Sequence, residues 1–389
     1  MIVFTLIGVW EQCKLGDLGS VAMNKRIFKE QTSESGDIPF YKIGTFGATA
    51  DAFISRELFE TYKKKYPYPK IGDLLISASG SIGRVVEYKG NDEYFQDSNI
   101  VWLKHDDRIN NLFLKQFYSI VKWHGLEGST IKRLYNKNIL ETTIHLPVFD
   151  EQEKIGTLFK QLDDIITLHQ RKLEQLKELK KAYLQLTFPK KDETVPRVRF
   201  ADFEDDWQLC KLGDVVEIFD GTHQTPRYTD SGVKFVSVEN IATLETKKYI
   251  THEAYEKEYS KKRAKKGDIL MTRIGDIGTM KVIETDEPLA YYVTLALLKA
   301  KETNPYFLSF IISSPEIQRN IWKRTLHIAF PKKINLGEIN QVEMKITIFE
   351  EQDKIGDLFT NLDDAIILNQ NKLNQLKSLK KSYLQNMFI

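Results

Sequence analysis

Cysteine is nearly absent from this chain. Its 389 residues include only Cys13 and Cys210, which lie in the matching contexts WEQCKLGD and WQLCKLGD. Cysteines at equivalent positions of two repeated domains are poorly placed to bridge, so we expect two free thiols, as is usual in a reducing cytoplasm. No spacing of Cys and His resembles a zinc site. The composition therefore argues against a disulfide scaffold and a structural metal.

Long apolar runs are missing as well. No run approaches the roughly 20 residues that a membrane-spanning helix requires. The opening segment MIVFTLIGVW is apolar but short, and it has neither a basic leader nor a small-residue cleavage site. We therefore predict a strand there rather than a signal peptide, and a cytoplasmic protein without a membrane partner.

A strong charge imbalance is the third absence. The chain carries 56 Lys and Arg against 54 Asp and Glu, a formal net charge of +2. Overall charge therefore does not indicate a nucleic-acid binder, and only local clusters can. Basic residues gather at 63–65, 261–266 and 319–324, and at Lys332 and Lys333. Each cluster alone is more often a solvated face than a DNA contact.

A long repeated segment dominates what is present. The chain reads EQEKIGTLFKQLDDIITLHQRKLEQLKELKKAYLQLTF from Glu151 and EQDKIGDLFTNLDDAIILNQNKLNQLKSLKKSYLQNMF from Glu351. The two copies are 200 residues apart without a gap, and 25 of 38 positions are identical. With only two copies and a very long period, this is a tandem duplication and not a solenoid.

Both copies predict a long helix, because apolar residues return at steps of four and three. That spacing is typical of a coiled-coil seam. The predicted seam positions are Ile155, Phe159, Leu162, Ile166, His169, Leu173, Leu176 and Tyr183 in the first copy, and Ile355, Phe359, Leu362, Ile366, Asn369, Leu373, Leu376 and Tyr383 in the second. Each helix would span on the order of 55 Å at about 1.5 Å per residue.

Polar residues interrupt the seam in the middle of each helix, at His169 and Asn369. The two helices supply each other's partner, and the domain between them allows antiparallel pairing. We predict that they cross antiparallel with these two residues near a pseudo-two-fold axis, since a single polar seam residue usually sets register. The alternative roles for His169, ligand or catalytic base, have no further support.

The duplication extends beyond the helices. KIGDLLISASGSIGRV from Lys70 aligns with KKGDILMTRIGDIGTM from Lys265, and IPFYKIGTFG from Ile38 aligns more loosely with VKFVSVENIA from Val233. Short apolar strands alternate with Gly, Ser and Asn turns, and amphipathic helices are predicted at 112–123 and 306–323, which indicates a mixed α+β fold. RFADFEDD before Trp207 has no counterpart at the chain start, so we expect that start to be a shortened repeat.

Two segments imitate enzyme motifs. Asn304 begins NPYF, which resembles a methyltransferase loop but lacks its second proline and any glycine-rich fingerprint; a helix-starting turn explains it better. Asp73 with Glu87 and Lys89 imitates a metal-dependent nuclease pattern. The second copy keeps Asp268 without the Glu-x-Lys, so a Gly-Asp turn is the simpler interpretation. We therefore predict no catalysis by this chain alone.

The motifs EQxKIGxLFxxLDDxIxLxQxKLxQLKxLKKxYLQ, VRFADFEDDWxxxKLGDV and GDLLISASGSIG together make the chain similar to DNA-specificity subunits of type I restriction–modification systems. The resemblance covers essentially the whole chain. It implies two target-recognition domains, each reading half of a bipartite site in double-stranded DNA, separated by two antiparallel helices that set the gap. The implied segments are a first recognition domain 1–149, a spacer helix 150–188, a linker 189–196, a second recognition domain 197–348 and a C-terminal spacer helix 349–389.

The resemblance also implies partners. Two methyltransferase subunits would dock on this chain, and motor–nuclease subunits would join them. S-adenosylmethionine, ATP and Mg²⁺ belong to those partners, and no cofactor is expected here. Apolar positions off the seam are the predicted docking sites, with a wider seam or the covering of loops as the alternative: Leu158, Ile165, Leu179, Leu358 and Leu379.

Candidate DNA contacts are side chains that can pair with base edges or phosphates from loops. In the second domain these are Thr222, His223, Gln224, Thr225, Arg227, Arg273, Lys332 and Lys333. In the first domain they are Ser77, Ser79, Ser81, Arg84, Lys132 and Arg133. The rival hypothesis is a coiled-coil adaptor without a nucleic-acid role, which would show no steep salt dependence of DNA binding.

Overall fold

A computed structural model describes residues 9–124 and 132–388. The strand predicted in MIVFTLIGVW and the shortened repeat at the chain start fall mainly on residues 1–8 and lie outside the described residues. The chain forms two compact units. Unit 1 comprises Met1–His169 with Lys372–Ile389, and unit 2 comprises Gln170–Asn371. Each unit thus contains part of both long helices, and the finer predicted domain boundaries stay a prediction.

The described residues of unit 1 contain nine strands and the start of the first long helix. The strands are β1 (Glu11–Lys14), β2 (Gly19–Met23), β3 (Ile38–Tyr41), β4 (Phe53–Ile54), β5 (Leu74–Ser77), β6 (Val85–Glu87), β7 (Tyr94–Phe95), β8 (Ile100–His105) and β9 (Thr143–Leu146). The helices are α1 (Leu15–Leu18), α2 (Arg56–Lys65), α3 (Asn111–Ile120), α4 (Asn136–Leu140) and α5 (Phe149–Leu186), which ends in unit 2. A 3₁₀ turn covers Lys29–Gln31.

Unit 2 repeats this order of strands, and it has one more helix before its last strand than the described residues of unit 1 have. The strands are β10 (Gln208–Lys211), β11 (Val216–Asp220), β12 (Val233–Val236), β13 (Tyr249–Ile250), β14 (Ile269–Thr272), β15 (Met280–Val282), β16 (Leu289–Tyr291), β17 (Leu295–Ala300) and β18 (Glu343–Ile346). The helices are α6 (Leu212–Val215), α7 (His252–Tyr259), α8 (Pro305–Ser313), α9 (Pro315–Lys323), α10 (Leu336–Asn340) and α11 (Phe349–Met387), which ends in unit 1. A 3₁₀ turn covers Val238–Asn240.

The sheets have the same topology in both units. The four-stranded sheets run β2-β8-β5-β6 and β11-β17-β14-β15, and the three-stranded sheets run β4-β3-β7 and β13-β12-β16. The outer pairs β1-β9 and β10-β18 also correspond. In each three-stranded sheet the central strand has one antiparallel and one parallel neighbour. The mixed α+β class and the internal repeat are confirmed.

The Gly-Asp turns that precede β5 and β14 serve the backbone. Asp73 Oδ2 accepts a hydrogen bond from the Lys70 amide at 2.8 Å, and Asp268 Oδ2 accepts one from the Lys265 amide at 2.9 Å. The preceding glycine, Gly72, has φ +93°, a conformation that favours residues without a Cβ. The structural interpretation of Asp73 is therefore confirmed.

The helix predicted at 306–323 is two helices. Ser314 has an extended backbone and Pro315 begins α9, because proline has no amide hydrogen to continue α8. Asn304 caps α8, and its Oδ1 accepts hydrogen bonds from the amides of Tyr306 at 2.8 Å and Phe307 at 2.9 Å. The helix-starting interpretation of NPYF is confirmed.

The repeated EQxKIG sequence attaches each long helix to its unit. In unit 1 the buried Gln152 accepts from the Asn110 amide at 2.9 Å and donates to the carbonyls of Arg108 and Pro147. A Cβ on Gly156 would lie 2.8 Å from the Phe113 amide nitrogen. Glycine is therefore required for α5 to approach α3 this closely.

The same device recurs in unit 2. The buried Gln352 accepts from the Asn304 amide at 3.0 Å and donates to the Thr347 carbonyl at 2.6 Å. A Cβ on Gly356 would lie 3.3 Å from the Phe307 amide nitrogen. The Gln and Gly of the motif thus bind the globular part, while its Ile and Phe enter the core.

The long helices pair antiparallel, as predicted. In unit 1, Gly156 and Phe388 both pack on Phe113, and further along Asp163 bonds Lys380 at 2.6 Å. In unit 2, Phe188 stacks with Phe359, and Lys180 bonds Asp363 at 2.6 Å. The two ion pairs are equivalent under the 200-residue offset, so both units use one register. The location of His169 and Asn369 near an axis stays a prediction.

Most of the predicted seam is buried. The buried positions are Ile155, Phe159, Leu162, Ile166, Leu173, Ile355, Phe359, Asn369, Leu373 and Leu376. His169, Leu176, Tyr183, Leu362 and Ile366 are half-buried. Tyr383 was a wrong assignment, because it is 37% exposed while the adjacent Leu384 is 8% exposed. Near the end of α11, the buried seam residue is therefore Leu384, one position after the Tyr383 that the spacing predicts.

A tryptophan anchors the end of a long helix in each unit. Trp10 packs edge-on to Phe113 and Phe388, with ring centroids 5.8 and 5.9 Å apart. Trp207 packs on Phe307 at 5.7 Å and Phe188 at 6.3 Å. Each long helix thus ends in an aromatic cluster.

The cysteines also occupy equivalent places, Cys13 opposite Ile144 and Cys210 opposite Met344, and both are free thiols as predicted. Burial raises the pKa of the Cys210 thiol to about 11. At pH 8 only about one thiol in a thousand would then be the reactive thiolate. We expect iodoacetamide to label native Cys210 slowly at pH 8, with a rate rising about tenfold per pH unit to pH 10. Urea-unfolded protein is the control, and equal rates in both states would contradict the prediction.

Candidate nucleic-acid interface

Three loop segments of unit 2 meet at the buried side chain of Arg273. Its Nη1 lies 2.7 Å from Asp220 Oδ1 and donates to the Val293 carbonyl at 2.9 Å, and its Nε donates to the Ile334 carbonyl at 3.3 Å. Asp220 ends β11 at the start of the loop 221–227. Ile334 follows the loop 325–333. One guanidinium therefore joins both loops to the turn after β14, and the predicted residues of this unit come together.

The first loop presents its polar side chains outward. Asp220 Oδ2 lies 2.7 Å from His223 Nε2, which orients the exposed imidazole. Gln224, Thr225 and Arg227 are exposed. Thr222 is buried and its amide donates to the Tyr291 carbonyl at 3.2 Å. The loop thus presents donors and acceptors of the kinds that pair with base edges. Its start is anchored by the backbone hydrogen bond of Thr222.

The second loop contributes lysines. Lys333 pairs with Ile274 and with Leu326 as isolated bridges, and the Gly275 amide donates to the Lys332 carbonyl at 2.8 Å. Lys332 Nζ lies 4.6 Å from the centre of the Trp322 ring. Both lysines are exposed, a geometry that suits contact with phosphates.

The equivalent place in unit 1 has the same backbone and different side chains. Ser79 and Arg133 form the bridge that corresponds to Ile274 and Lys333, as the predicted equivalence requires. Alanine, Ala78, stands where unit 2 has Arg273. Asn99 is the centre instead, since its Oδ1 accepts from Ser79 Oγ at 2.8 Å and from Arg133 Nη2 at 3.1 Å.

Four predicted contacts are not presented to solvent. Ser77 is buried and accepts from the Arg84 amide at 2.9 Å, and Ser79, Thr222 and Arg273 are also buried. Their polar atoms are used within the protein, so we reassign them from contact to positioning. Ser81, Arg84 and Lys132 are exposed, although Arg84 Nη1 already donates to the Phe46 carbonyl at 2.7 Å. Direct contact by the exposed residues stays a prediction.

Sequence reasoning missed Asp220 and Asn99, the acceptors that organise the two sites. No local signal marks either, because their partners lie 53 and 34 residues away along the chain. It also missed Ile328 and Phe330, which are fully exposed at the tip of the loop 325–333. The sequence shows only two apolar residues in a basic segment, which does not by itself indicate that they are exposed.

The described residues contain neither a metal-ligand cluster nor a membrane-spanning helix. Within residues 9–124 and 132–388, no group of three His, Cys, Asp or Glu side chains could hold a metal ion. No helix in that part of the chain is long and apolar enough to cross a lipid bilayer.

The long helices expose several apolar side chains off the seam. Ile165, Leu179 and Leu379 are exposed as predicted, and so are Leu168, Ile367 and Leu368. Leu158 is half-buried. Leu358 is half-buried and lines a cavity of about 160 Å³ with Val198 and Phe200. Its surface is therefore partly covered by this chain, and docking at Leu358 stays a prediction.

The segment that covers Leu358 is held by charge. Arg199 Nε and Nη2 lie 2.8 and 2.9 Å from the carboxylate of Glu351, whose side chain is fully buried. Lys354 Nζ lies 2.7 Å from Asp202 and 4.9 Å from the centre of the Phe203 ring. The segment RFADFEDD thus forms part of unit 2.

Comparison with known proteins shows one consistent likeness. The sequence profile of the Type I restriction modification DNA specificity domain matches residues 8–178 and 204–378. A putative type I restriction enzyme specificity subunit of Haemophilus influenzae is 54% identical over 153 residues, which cover 39% of this chain and 40% of that protein. The match thus spans less than half of the relative's length.

Two further likenesses cover more of the chain. A type I restriction enzyme specificity subunit of Methanocaldococcus jannaschii is 23% identical over 310 residues, 74% of this chain and 72% of that protein. The crystal structure of a type I restriction-modification system S subunit from M. genitalium aligns with a TM-score of 0.67 and 15% identity, over 100% of this chain and 98% of that one. At that identity the structural likeness concerns the fold alone.

Proposed function

Because this chain belongs to the type I restriction modification DNA specificity domain family, we propose that it determines the DNA sequence recognised by a type I restriction–modification assembly. Unit 1 and unit 2 each read one half of a split site. The observation that carries this proposal is one topology with two different side-chain networks at the same loops. Arg273 and Asp220 organise the site in unit 2, whereas Asn99 and Arg133 do so in unit 1.

The same proposal assigns recognition to this chain and catalysis to its partner subunits. This chain positions base-reading side chains and carries out no catalytic step. Methyltransferase subunits bring S-adenosylmethionine to the recognised site, and motor–nuclease subunits bring ATP and Mg²⁺. Each long helix begins in one unit and ends in the other, and in this proposal the helix length sets the number of base pairs between the half-sites. With about 10.5 base pairs per turn of duplex, changing the helix length would change that gap.

The exposed apolar side chains of the helices support docking of the methyltransferase subunits. We expect Ile165→Glu with Leu179→Glu to abolish co-purification with those subunits, because two charges would enter an apolar interface. Thr167→Glu with Gln170→Glu is the matched control, since both positions are exposed and lie on other sides of the helix. A pull-down from co-expressing cells measures the effect. Intact capture of the Ile165/Leu179 variant would remove this face from the interface.

Phosphate contacts and base readers should respond differently to mutation. We expect Lys332→Gln with Lys333→Gln to weaken binding to all DNA sequences and to reduce the slope of log Kd against log salt by about 0.9 per lysine.

We expect Gln224→Ala with Arg227→Ala to change the sequence of the second half-site that is recognised, instead of the overall affinity. Salt titrations and methylation maps measure the two effects. An unchanged motif in the Gln224/Arg227 variant would exclude that loop from base reading.

The test of the function is methylation mapping. The chain is co-expressed with its candidate methyltransferase subunit in an unmethylated host, and methyladenine is mapped across the genome. A split motif with a fixed gap is expected. A short, unsplit motif would mean that one unit reads sequence, and a stable complex without methylation would contradict the proposal. Exchange of one globular unit for another would then assign each half of the motif.

A further inference from the structure

The loop 325–333 has a rigid base. The Leu326 amide donates to the Lys333 carbonyl at 2.8 Å, and the buried Thr325 hydroxyl donates to the Ile321 carbonyl at 2.9 Å. The ring of His327 packs 4.4 Å from the ring of Trp322. The two ends of the loop, at Thr325, Leu326 and Lys333, are therefore held in place by hydrogen bonds, and we call them the stem.

The tip of this loop is apolar and fully exposed. Ile328 and Phe330 have essentially no contact that shields them from solvent, and Trp322 beside the stem is half exposed. Exposing large apolar side chains together is unfavourable in water, so such a tip marks a surface that another molecule covers.

Local charge favours a polyanion as the occupant. From Trp322 to Lys333 the sequence contains four Lys or Arg and a histidine, and no acidic residue. Arg324 is paired with Glu338 at 3.1 Å, which leaves the positive charge of Lys323, Lys332 and Lys333. The stem is also continuous with the candidate interface, because Lys333 pairs with Ile274 and the following residue, Ile334, accepts a hydrogen bond from Arg273. The stem of the apolar tip therefore lies beside the base of the loop that carries His223 and Gln224.

We propose that Ile328 and Phe330 form a wedge that enters the DNA duplex between base pairs of the second half-site and partly unstacks them. Apolar side chains flanked by cations act in this way on DNA, where unstacking costs a few kcal/mol per step and extra contacts offset it. The polar loop reads the base sequence, and the wedge contributes affinity through the deformed duplex. This inference rests on the proposed function.

The aligned positions of the first repeat lack this apolar pair in the sequence. The 200-residue offset that aligns Lys333 with Arg133 places Gly128 and Thr130 opposite Ile328 and Phe330 in the sequence. Neither residue has an apolar side chain able to enter a base step. The first half-site is therefore an internal control on the same DNA molecule.

The test uses the assembled methyltransferase complex and DNA duplexes that carry 2-aminopurine at successive steps of both half-sites. The adenines that are modified are left unlabelled, because methyltransferases extrude those bases themselves. With the wild-type complex, fluorescence is expected to rise at one step of the second half-site and at none of the first. Ile328→Ser with Phe330→Ser is expected to remove that rise and to weaken binding by about tenfold or more. The salt slope and the methylated motif stay the same, because no charge or base reader is lost.

Leu209→Ser is the control, since Leu209 is also apolar and exposed but lies on β10; it should leave fluorescence and binding unchanged. Equal fluorescence and Kd for wild type and the double variant would overturn the wedge. Loss of co-purification with the methyltransferase subunits would also overturn it, because the tip would then be a protein contact. If the wild-type complex methylates a split motif and shows no fluorescence change, only the wedge fails. If there is no motif, the proposed function fails with it.

Discussion

Arg273→Met is expected to abolish methylation directed by the second half-site and to lower the free energy of unfolding of unit 2 by about 2–4 kcal/mol. The guanidinium is buried and forms its ion pair with Asp220 in a partly buried setting. Methionine fills similar space but leaves Asp220 and two carbonyls without their donor. The loops 221–227 and 325–333 then lose the side chain that joins them.

Two variants make this prediction specific. Arg273→Lys keeps the charge but lacks the planar fork that reaches three acceptors, so we expect partial loss. Arg227→Met removes an exposed arginine of the same unit and should leave the free energy of unfolding within about 0.5 kcal/mol. Chemical denaturation and methylation mapping measure the two effects. A stable Arg273→Met protein with an unchanged motif would show that the side chain positions neither loop.

Phe359→Ala is expected to destabilise unit 2 by about 3–5 kcal/mol. Phe359 is fully buried, and its ring lies 4.9 Å from that of Phe310 and 5.7 Å from that of Phe188. It therefore connects the start of α11, the helix α8 and the end of α5. Truncation leaves a cavity among three rings that cannot collapse without moving a helix.

The equivalent change, Phe159→Ala, should destabilise unit 1 by a similar amount, because Phe159 is also fully buried. Leu368→Ala is the control in the isolated chain, since Leu368 is 69% exposed and should cost less than about 0.5 kcal/mol. Thermal unfolding of the three variants gives the comparison. A small shift for Phe359→Ala would mean that the aromatic cluster does not limit the stability of unit 2.

The two units show how a duplicated fold diverges. The residues that attach the long helices, Gln152 and Gln352 with their glycines, have the same partners in both units. The residues at the loops differ, and the exchange of Ala78 for Arg273 changes which neighbour organises the site. The contacts that attach each long helix to its globular part are thus retained in both units. At the loops, the two units share the path of the backbone but differ in their side chains.

Much of this architecture follows from the sequence alone. The repeat, the long helices and their seam are local patterns: apolar spacing, a fixed offset and turn residues such as Gly72. The equivalence of Arg133 and Lys333 was also available, because the offset carries no gap. These features depend on residues close together in the chain, so periodicity and alignment are sufficient to find them.

Tertiary structure alone decided which candidates face solvent. Arg273 and Ser77 have the chemistry of DNA contacts, yet both are buried. Asp220 accepts from Arg273, and the Arg84 amide donates to Ser77. No local pattern encodes a partner 53 residues away, such as Asp220 for Arg273. Leu384 replaces Tyr383 in the seam because packing at the helix end overrides ideal spacing. The apolar tip at Ile328 and Phe330 stands out only when its exposure is measured. Local periodicity determined the frame of this protein, and the burial of side chains by distant neighbours decided its site.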